Sequence, residues 1–400
     1  MPITVSFETD LSTEDIAPLW QDLAKRAKSS FFLSWHWVGC WLRESGLKPM
    51  LLAARRGDEP IGLALLHRPA VRRPWQLPAL HLTSAAGSDL DSIFIEYNGF
   101  LAAAEDQAAV ENAFLEFLLD LPALGGDGWT RLILPGVGEA TRTRLAEAGL
   151  TVHPIACKPS PYVDLATIRR AGSDYLATRS HNCRHQIRRS IRLFGTAGEP
   201  RVEPAASLDD ALAALDQLKL LHQSRWRERN QPGAFATPFF ERFHRRLIVE
   251  AWASGVIDLA RLRVGDEIVG CLYNFVQNGV AYAYQSGFDF RRDDRHKPGL
   301  VLHALTAQRY LEAGLDRYLL LAGDSRYKTS LATGSETLHW VVARRPGLVA
   351  TVGQAVDMVE RLARGLARRI PLANPHALDS FAPKSRRLQT IDFAQKTKPP

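Results

Sequence analysis

Apolar residues recur at helical spacing over 13–27 and 34–45, and the second stretch is unusually aromatic on its apolar side, with Trp35, Trp37 and Trp41. Two apolar runs follow, Met50 to Arg55 and Ile61 to His67. The Arg56-Gly57-Asp58-Glu59-Pro60 between them has the turn chemistry of a β-hairpin. The pattern then predicts a strand at Ile93 to Glu96, a helix over 105–119, a strand at Arg131 to Leu134 and a helix over 138–148 closed by Gly149. Pro154 to Pro161 interrupts both periods and predicts a domain boundary.

Beyond the boundary the pattern starts again. A strand at Tyr162 to Leu165 precedes helices over 171–194, 208–229 and 238–253; Ser207 with Asp210 and Thr237-Pro238 supply the openings of the last two. Three strands come in succession, Val256 to Arg263, Glu267 to Val276 and Val280 to Gly287. They lead to a helix over 299–313, strands over 317–322 and 336–343, and a short helix over 326–332. The hairpin of the first half, Gly57-Asp58-Glu59-Pro60-Ile61-Gly62, recurs as Gly265-Asp266-Glu267-Ile268-Val269-Gly270, with apolar strands on both sides each time. Such self-similarity predicts two copies of one fold. The expected units are 1–158 and 159–345, followed by 346–400. There Leu348, Val352, Val356, Val359, Leu362, Leu366 and Ile370 keep helical spacing beside Arg361, Arg364, Arg368 and Arg369, which predicts an amphipathic basic helix and a tail.

A chain of 400 residues exceeds the size at which one core keeps growing, and 46% hydrophobic with 23% charged residues is a globular composition. No apolar run approaches the length of a membrane span, and the acidic start of the chain is unlike a secretory signal. A cytoplasmic protein is therefore expected. Cys40, Cys157, Cys183 and Cys271 form no C-x-x-C pair, and no cluster requires a metal. The net charge of +7 matters through its location: residues 344–400 hold eleven Lys or Arg against four Asp or Glu. A basic tail on a neutral body suits an anionic membrane surface, with the chain peripheral at its inner face, and disfavours a nucleic-acid reader. On the predicted helix 171–194, Arg184, Arg188 and Arg192 form a stripe able to hold phosphate.

Several short motifs occur in a telling order: Phe31-Phe32-Leu33-Ser34-Trp35 with Trp41, Ser88-Asp89, Leu221-His222 with Arg225-Trp226, Ser286-Gly287-Phe288-Asp289, Pro298-Gly299, and Gly323-Asp324 with Tyr327-Lys328. In that order the chain resembles the GNAT superfamily. It is similar in particular to the tandem-GNAT family of cellulose-biosynthesis-type acetyltransferases, related to Fem-type peptidyltransferases and bacterial ceramide synthases.

The resemblance implies an α/β (α+β) architecture of two tandem GNAT-like units, with mixed, mostly antiparallel sheets flanked by helices. It also implies acyl-CoA as co-substrate, its pantetheine arm lying between strands 280–287 and 317–322. Arg295, Lys297, Pro298 and Gly299 would meet the pyrophosphate at a helix start, with Gly287 beside the arm. The usual R/Q-x-x-G-x-G/A loop is not reproduced here. Among catalytic candidates, His222 and Asp289 could take the ammonium proton, Tyr327 could protonate the thiolate, and Lys328 could hold an oxyanion. Trp226, Arg184, Arg188 and Asp324 are candidates for substrate binding.

The expected reaction is transfer of an acyl group from a thioester to an amine on a membrane-associated lipid, such as a long-chain amino alcohol, or on an envelope glycan precursor. Two alternatives stay open: a Fem-type transferase using aminoacyl-tRNA, and a non-catalytic assembly factor in polysaccharide biosynthesis.

Overall fold

The computed structural model describes residues 1–70, 77–87, 89–124, 128–290 and 295–346. The expected C-terminal helix, Ser88 and residues 291–294 lie outside them.

The first half contains β1 (Ile3–Glu8), α1 (Thr13–Arg26), α2 (Trp35–Ser45), β2 (Met50–Arg56), β3 (Glu59–His67), β4 (Ala79–Leu82), β5 (Leu101–Ala102), α3 (Gln107–Asp120), β6 (Arg131–Val137), α4 (Glu139–Glu147) and β7 (Thr151–Asp164). The second half contains α5 (Leu165–Arg170), α6 (His181–Phe194), β8 (Arg201–Pro204), α7 (Leu208–Glu228), α8 (Pro238–Ala251), β9 (Ile257–Val264), β10 (Glu267–Gln277), β11 (Val280–Phe288), α9 (Pro298–Glu312), β12 (Arg317–Leu319), α10 (Arg326–Leu331) and β13 (Gly334–Arg344).

The repeat is visible in this order. Each half has a strand, two helices, a three-strand antiparallel meander, and then a helix leading to a strand parallel to the last of the meander: β4 with β6, and β11 with β12. Among the described residues all strands join one sheet, ordered β1-β2-β3-β4-β6-β13-β7-β12-β11-β10-β9-β8, with β5 attached to β3. The halves exchange strands. The C-terminal β13 inserts between β6 and β7, and the end of β7 pairs with β12 through Tyr162 to Asp164.

The expectation that Pro154 to Pro161 interrupts the strand pattern is corrected: this stretch lies inside β7, the strand on which the expected division at 158/159 falls. Proline removes a donor, so it is tolerated where the ladder needs none. The carbonyls of Pro159 and Pro161 accept from Gly323 and Leu320, so the donor-less nitrogens of these residues face away from β13 and cost no bond to it.

Two further expectations are corrected. Ile93 to Glu96 is irregular, because the amide of Phe94 donates to the Tyr284 hydroxyl and Tyr97 turns into the left-handed region (φ 52°). The helix expected over 171–194 begins only at His181, capped by Ser180, since Gly172 at φ 62° ends α5.

One core spans both halves. Phe31 stacks on Phe275 with centroids 4.1 Å apart and 13° between planes, and Trp37 meets Phe243 edge-on at 4.9 Å. The close approach of α7 to the sheet depends on Gly287. A Cβ there would lie 2.6 Å from the Leu218 carbonyl oxygen and 3.0 Å from the His222 amide nitrogen.

Candidate active site

The parallel pair β11 and β12 is bonded only from Val280 to Tyr282, against Arg317 to Leu319. Beyond Tyr282, β11 keeps β10 on one side, and no described strand bonds its other edge. The reason lies at the end of β12. Leu321, which is 5% exposed, adopts φ 59°, a region that costs a leucine about 1–2 kcal/mol. Neighbouring hydrogen bonds hold it there. Leu320 N donates to Pro161 O at 2.9 Å, Gly323 N to Pro159 O at 2.9 Å, and Lys328 Nζ to the carbonyls of Leu321 and Ala322 at 3.1 and 3.0 Å. The chain is thereby steered away from β11 towards β7.

The parting opens a cavity of about 130 Å³ lined by Tyr284, Gln285 and Ser286 of β11, His303 of α9, and Tyr327 and Lys328 of α10. Tyr327 is 37% exposed and stacks over His303, with centroids 5.8 Å apart. Burial raises its phenol above the ordinary tyrosine range and lowers the Lys328 ammonium. At the start of α9 no side chain among the described residues caps the first turn, while Lys297 N donates to the buried Ser190 hydroxyl of α6 at 2.9 Å.

A second cavity of about 80 Å³ lies in the first half, past the end of β4 and beside Pro135 of β6, lined in part by Trp37, Trp41, Glu96, Lys158 and Trp340. One peptide links a residue of each cavity: the Ala322 N–H donates to Glu96 Oε2 at 2.7 Å, and the Leu321 carbonyl of the same peptide accepts from Lys328 at 3.1 Å. Glu96 is 8% exposed, and burial raises its carboxyl above the usual range against the pull of Lys328 and Lys158.

The sequence candidates fall in different places. Tyr327 and Lys328 line the larger cavity together. Gly323 and the exposed Asp324 lie on the turn between β12 and α10. His222 is buried beside Trp226 and Phe235, with Nδ1 3.2 Å from Gln223 Oε1, and burial lowers it to about 4; neither it nor Trp226 lines the cavity. Asp289 is buried at the end of β11, its amide donating to Val269 O. Gly287 packs against α7 on the same strand. Arg295 and Lys297 are exposed before α9, Pro298 is buried at its start, and Gly299 rests on the Phe288 ring. Arg184 donates to the Ala177 and Arg179 carbonyls, whereas Arg188 is exposed on α6. Sequence reasoning passed over Glu96, Gln285 and His303. Glu96 ends an apolar run read as a strand, and His303 sits inside a helical pattern that reads as core.

Residues 181–329 match the family model for the acetyltransferase (GNAT) domain. These residues form a GNAT-type transferase domain. No curated protein matches the chain in sequence. Among solved structures, FemX shares the fold with a TM-score of 0.57 at 10% identity, over 89% of this chain and 100% of that one. A C-terminal domain (DUF2156) ascribed to a lysylphosphatidylglycerol synthetase of Agrobacterium fabrum gives 0.52 at 14% identity, over 87% and 97%. A conserved protein of unknown function from Bacteroides thetaiotaomicron gives 0.51 at 13%, over 86% and 100%. The fold shared with these structures extends over both halves, and the larger cavity lies within the residues that match the GNAT model. No helix among the described residues is long and apolar enough to cross a membrane.

Proposed function

We propose that the chain transfers an acyl group from a thioester, acyl-CoA, to an amine by direct attack, with the donor lying in the cleft where β11 and β12 part. The observation that carries this reading is that cleft, with Tyr327 and Lys328 at one wall and α9, whose start has no side-chain cap among the described residues, contributing His303. An extended donor arm can pair with the open edge of β11, and free N–H groups at a helix start suit a pyrophosphate.

Attack of the amine nitrogen on the thioester carbon forms the C–N bond, and collapse of the tetrahedral oxyanion breaks the C–S bond. Lys328 has three N–H donors, of which two go to Leu321 and Ala322, so the third is available to an oxyanion. The phenol of Tyr327 gives its proton to the departing thiolate. Glu96 takes the ammonium proton, because it is a buried carboxylate one peptide from Lys328 and faces the Trp-lined second cavity through which an acceptor can approach. It is better placed for this than His222, whose ring packs away from the cavity.

The acceptor class we propose is an amine on a membrane-associated lipid or an envelope glycan precursor, which the basic C-terminal sequence would bring to an anionic membrane face. A second reading has the same cleft take an aminoacyl ester carried on tRNA. It is favoured by the exposed Arg188, Arg189 and Arg192 of α6 beside the start of α9 and by the fold shared with FemX.

Thermal stabilisation across acetyl-CoA, long-chain acyl-CoA, acyl-carrier protein and charged tRNA tests these readings, since a ligand of the native state raises stability by linkage. A rise with one thioester is the expected result. A rise with tRNA alone supports the second reading, and no response to any of them leaves a non-catalytic assembly role.

A further inference from the structure

His303 is 3% exposed on the inner face of α9, and its two nitrogens have unlike surroundings. Nδ1 lies 2.7 Å from the hydroxyl of Tyr318, a fully buried residue of β12. Nε2 is buried and has no hydrogen-bond partner among the described residues, and the ring forms part of the wall of the cavity between β11 and β12. A buried polar nitrogen without a partner is costly, roughly 1–3 kcal/mol, so its retention at a cavity points to an occupant that satisfies it.

The state of the ring follows from its neighbours. Burial holds the Tyr318 phenol well above its ordinary range, so it keeps its proton. Among the described residues its hydroxyl has no acceptor other than Nδ1, so the O–H donates to Nδ1 and the ring proton resides on Nε2. The titratable groups packed on the imidazole are Tyr318, Tyr327 and Lys328; burial, aided by the Lys328 ammonium, lowers His303 to about 3. His303 is therefore a neutral imidazole whose Nε2–H is unpartnered in a ring at the cavity wall, and it is unable to serve as a base through Nδ1.

We propose that the Nε2–H of His303 donates to the carbonyl oxygen of the thioester donor and shares its oxyanion with Lys328 as the tetrahedral intermediate forms. This assignment rests on the acyl-transfer reading of the same cleft. The ligand atom is set by chemistry. A fixed N–H beside an ammonium selects an oxygen acceptor and rejects a cation, and a neutral donor needs no counter-ion to be displaced when the substrate enters. The bond tightens as negative charge develops, so its effect belongs in kcat more than in KM.

The test compares wild type with His303→Phe, which keeps an aromatic ring and loses the donor, and His303→Gln, which returns an N–H near the position of Nε2. Initial rates with acetyl-CoA or a long-chain acyl-CoA and a primary amine give kcat and KM, and thermal melts check folding. The expected result is a kcat for His303→Phe lower by about 10²–10³-fold with KM within threefold, and a partial return in His303→Gln. A folded His303→Phe with wild-type kcat, or a loss confined to KM, overturns the assignment. Should His303→Phe fail to fold, ¹⁵N NMR of the wild-type ring decides. A proton on Nε2 with no titration between pH 5 and 8 supports the proposal; a proton on Nδ1, or a titration in that range, refutes it. Absence of thioester binding and turnover in wild type would instead reject the acyl-transfer reading on which the proposal depends.

Discussion

Replacing Glu96 by Gln separates catalysis from stability. The amide oxygen of glutamine can still accept the Ala322 N–H that Glu96 Oε2 holds at 2.7 Å, so this hydrogen bond is retained. What disappears is a carboxylate whose burial outweighs the attraction of Lys328 and Lys158, leaving its pKa above the ordinary 4.5. Such a group binds its proton more tightly in the folded than in the unfolded protein. Between 4.5 and the raised value the folded state therefore carries more protons, and wild-type stability falls as pH rises through that window before levelling.

Glutamine has no such cost, so the variant is expected to be at least as stable as wild type at pH 7, with the gap closing on acidification. Loss of a general base costs about 10²–10⁴-fold in rate, and the acid limb of the kcat/KM profile, in which rate rises as Glu96 ionises, is expected to vanish. The assays are denaturation midpoints from pH 4 to 8 and initial rates with an acyl thioester and amine over the same range. A variant whose rate stays within threefold of wild type and keeps the acid limb would show that Glu96 is not the base. A stability that drops by several kcal/mol at pH 7 would show that its charge anchors the structure.

Two further outcomes follow from the packing. Gly287→Ala places a methyl 2.6 Å from the Leu218 carbonyl oxygen, where backbone on both sides resists movement; about 1–3 kcal/mol of stability is expected to be lost, measured by urea denaturation. Phe31→Ala removes the ring stacked on Phe275, and about 3–5 kcal/mol should be lost in a single transition reported equally by fluorescence and circular dichroism. Two separated transitions would contradict the shared core.

The site was partly legible in the sequence because some of its chemistry is local. Tyr327 and Lys328 follow a strand and a Gly-Asp turn closely enough that their place at the mouth of a parallel pair could be anticipated. His222 attracted attention because it stands beside Arg225 and Trp226, yet helical geometry alone does not say which face of α7 meets the sheet. The contact at Gly287 decides that face and buries the ring. Glu96 and Lys328 are separated by 232 positions in a chain of 400, and no local period links them.

The hydrophobic periods, the hairpin turns and the repeated Gly-Asp-Glu segment by themselves determined that this protein is an α/β chain with two similar halves, since each is set by residues a few positions apart. Tertiary structure alone decided that the halves exchange strands and share a core, and that β7 runs through its prolines. A strand's partner depends on which distant edge is open to it, and Pro159 and Pro161 can remain in the ladder only because β13 pairs with the other edge of β7. The same exchange pins Leu321 in its unusual conformation and parts β12 from β11, so the cavity follows from contacts between segments far apart in the chain.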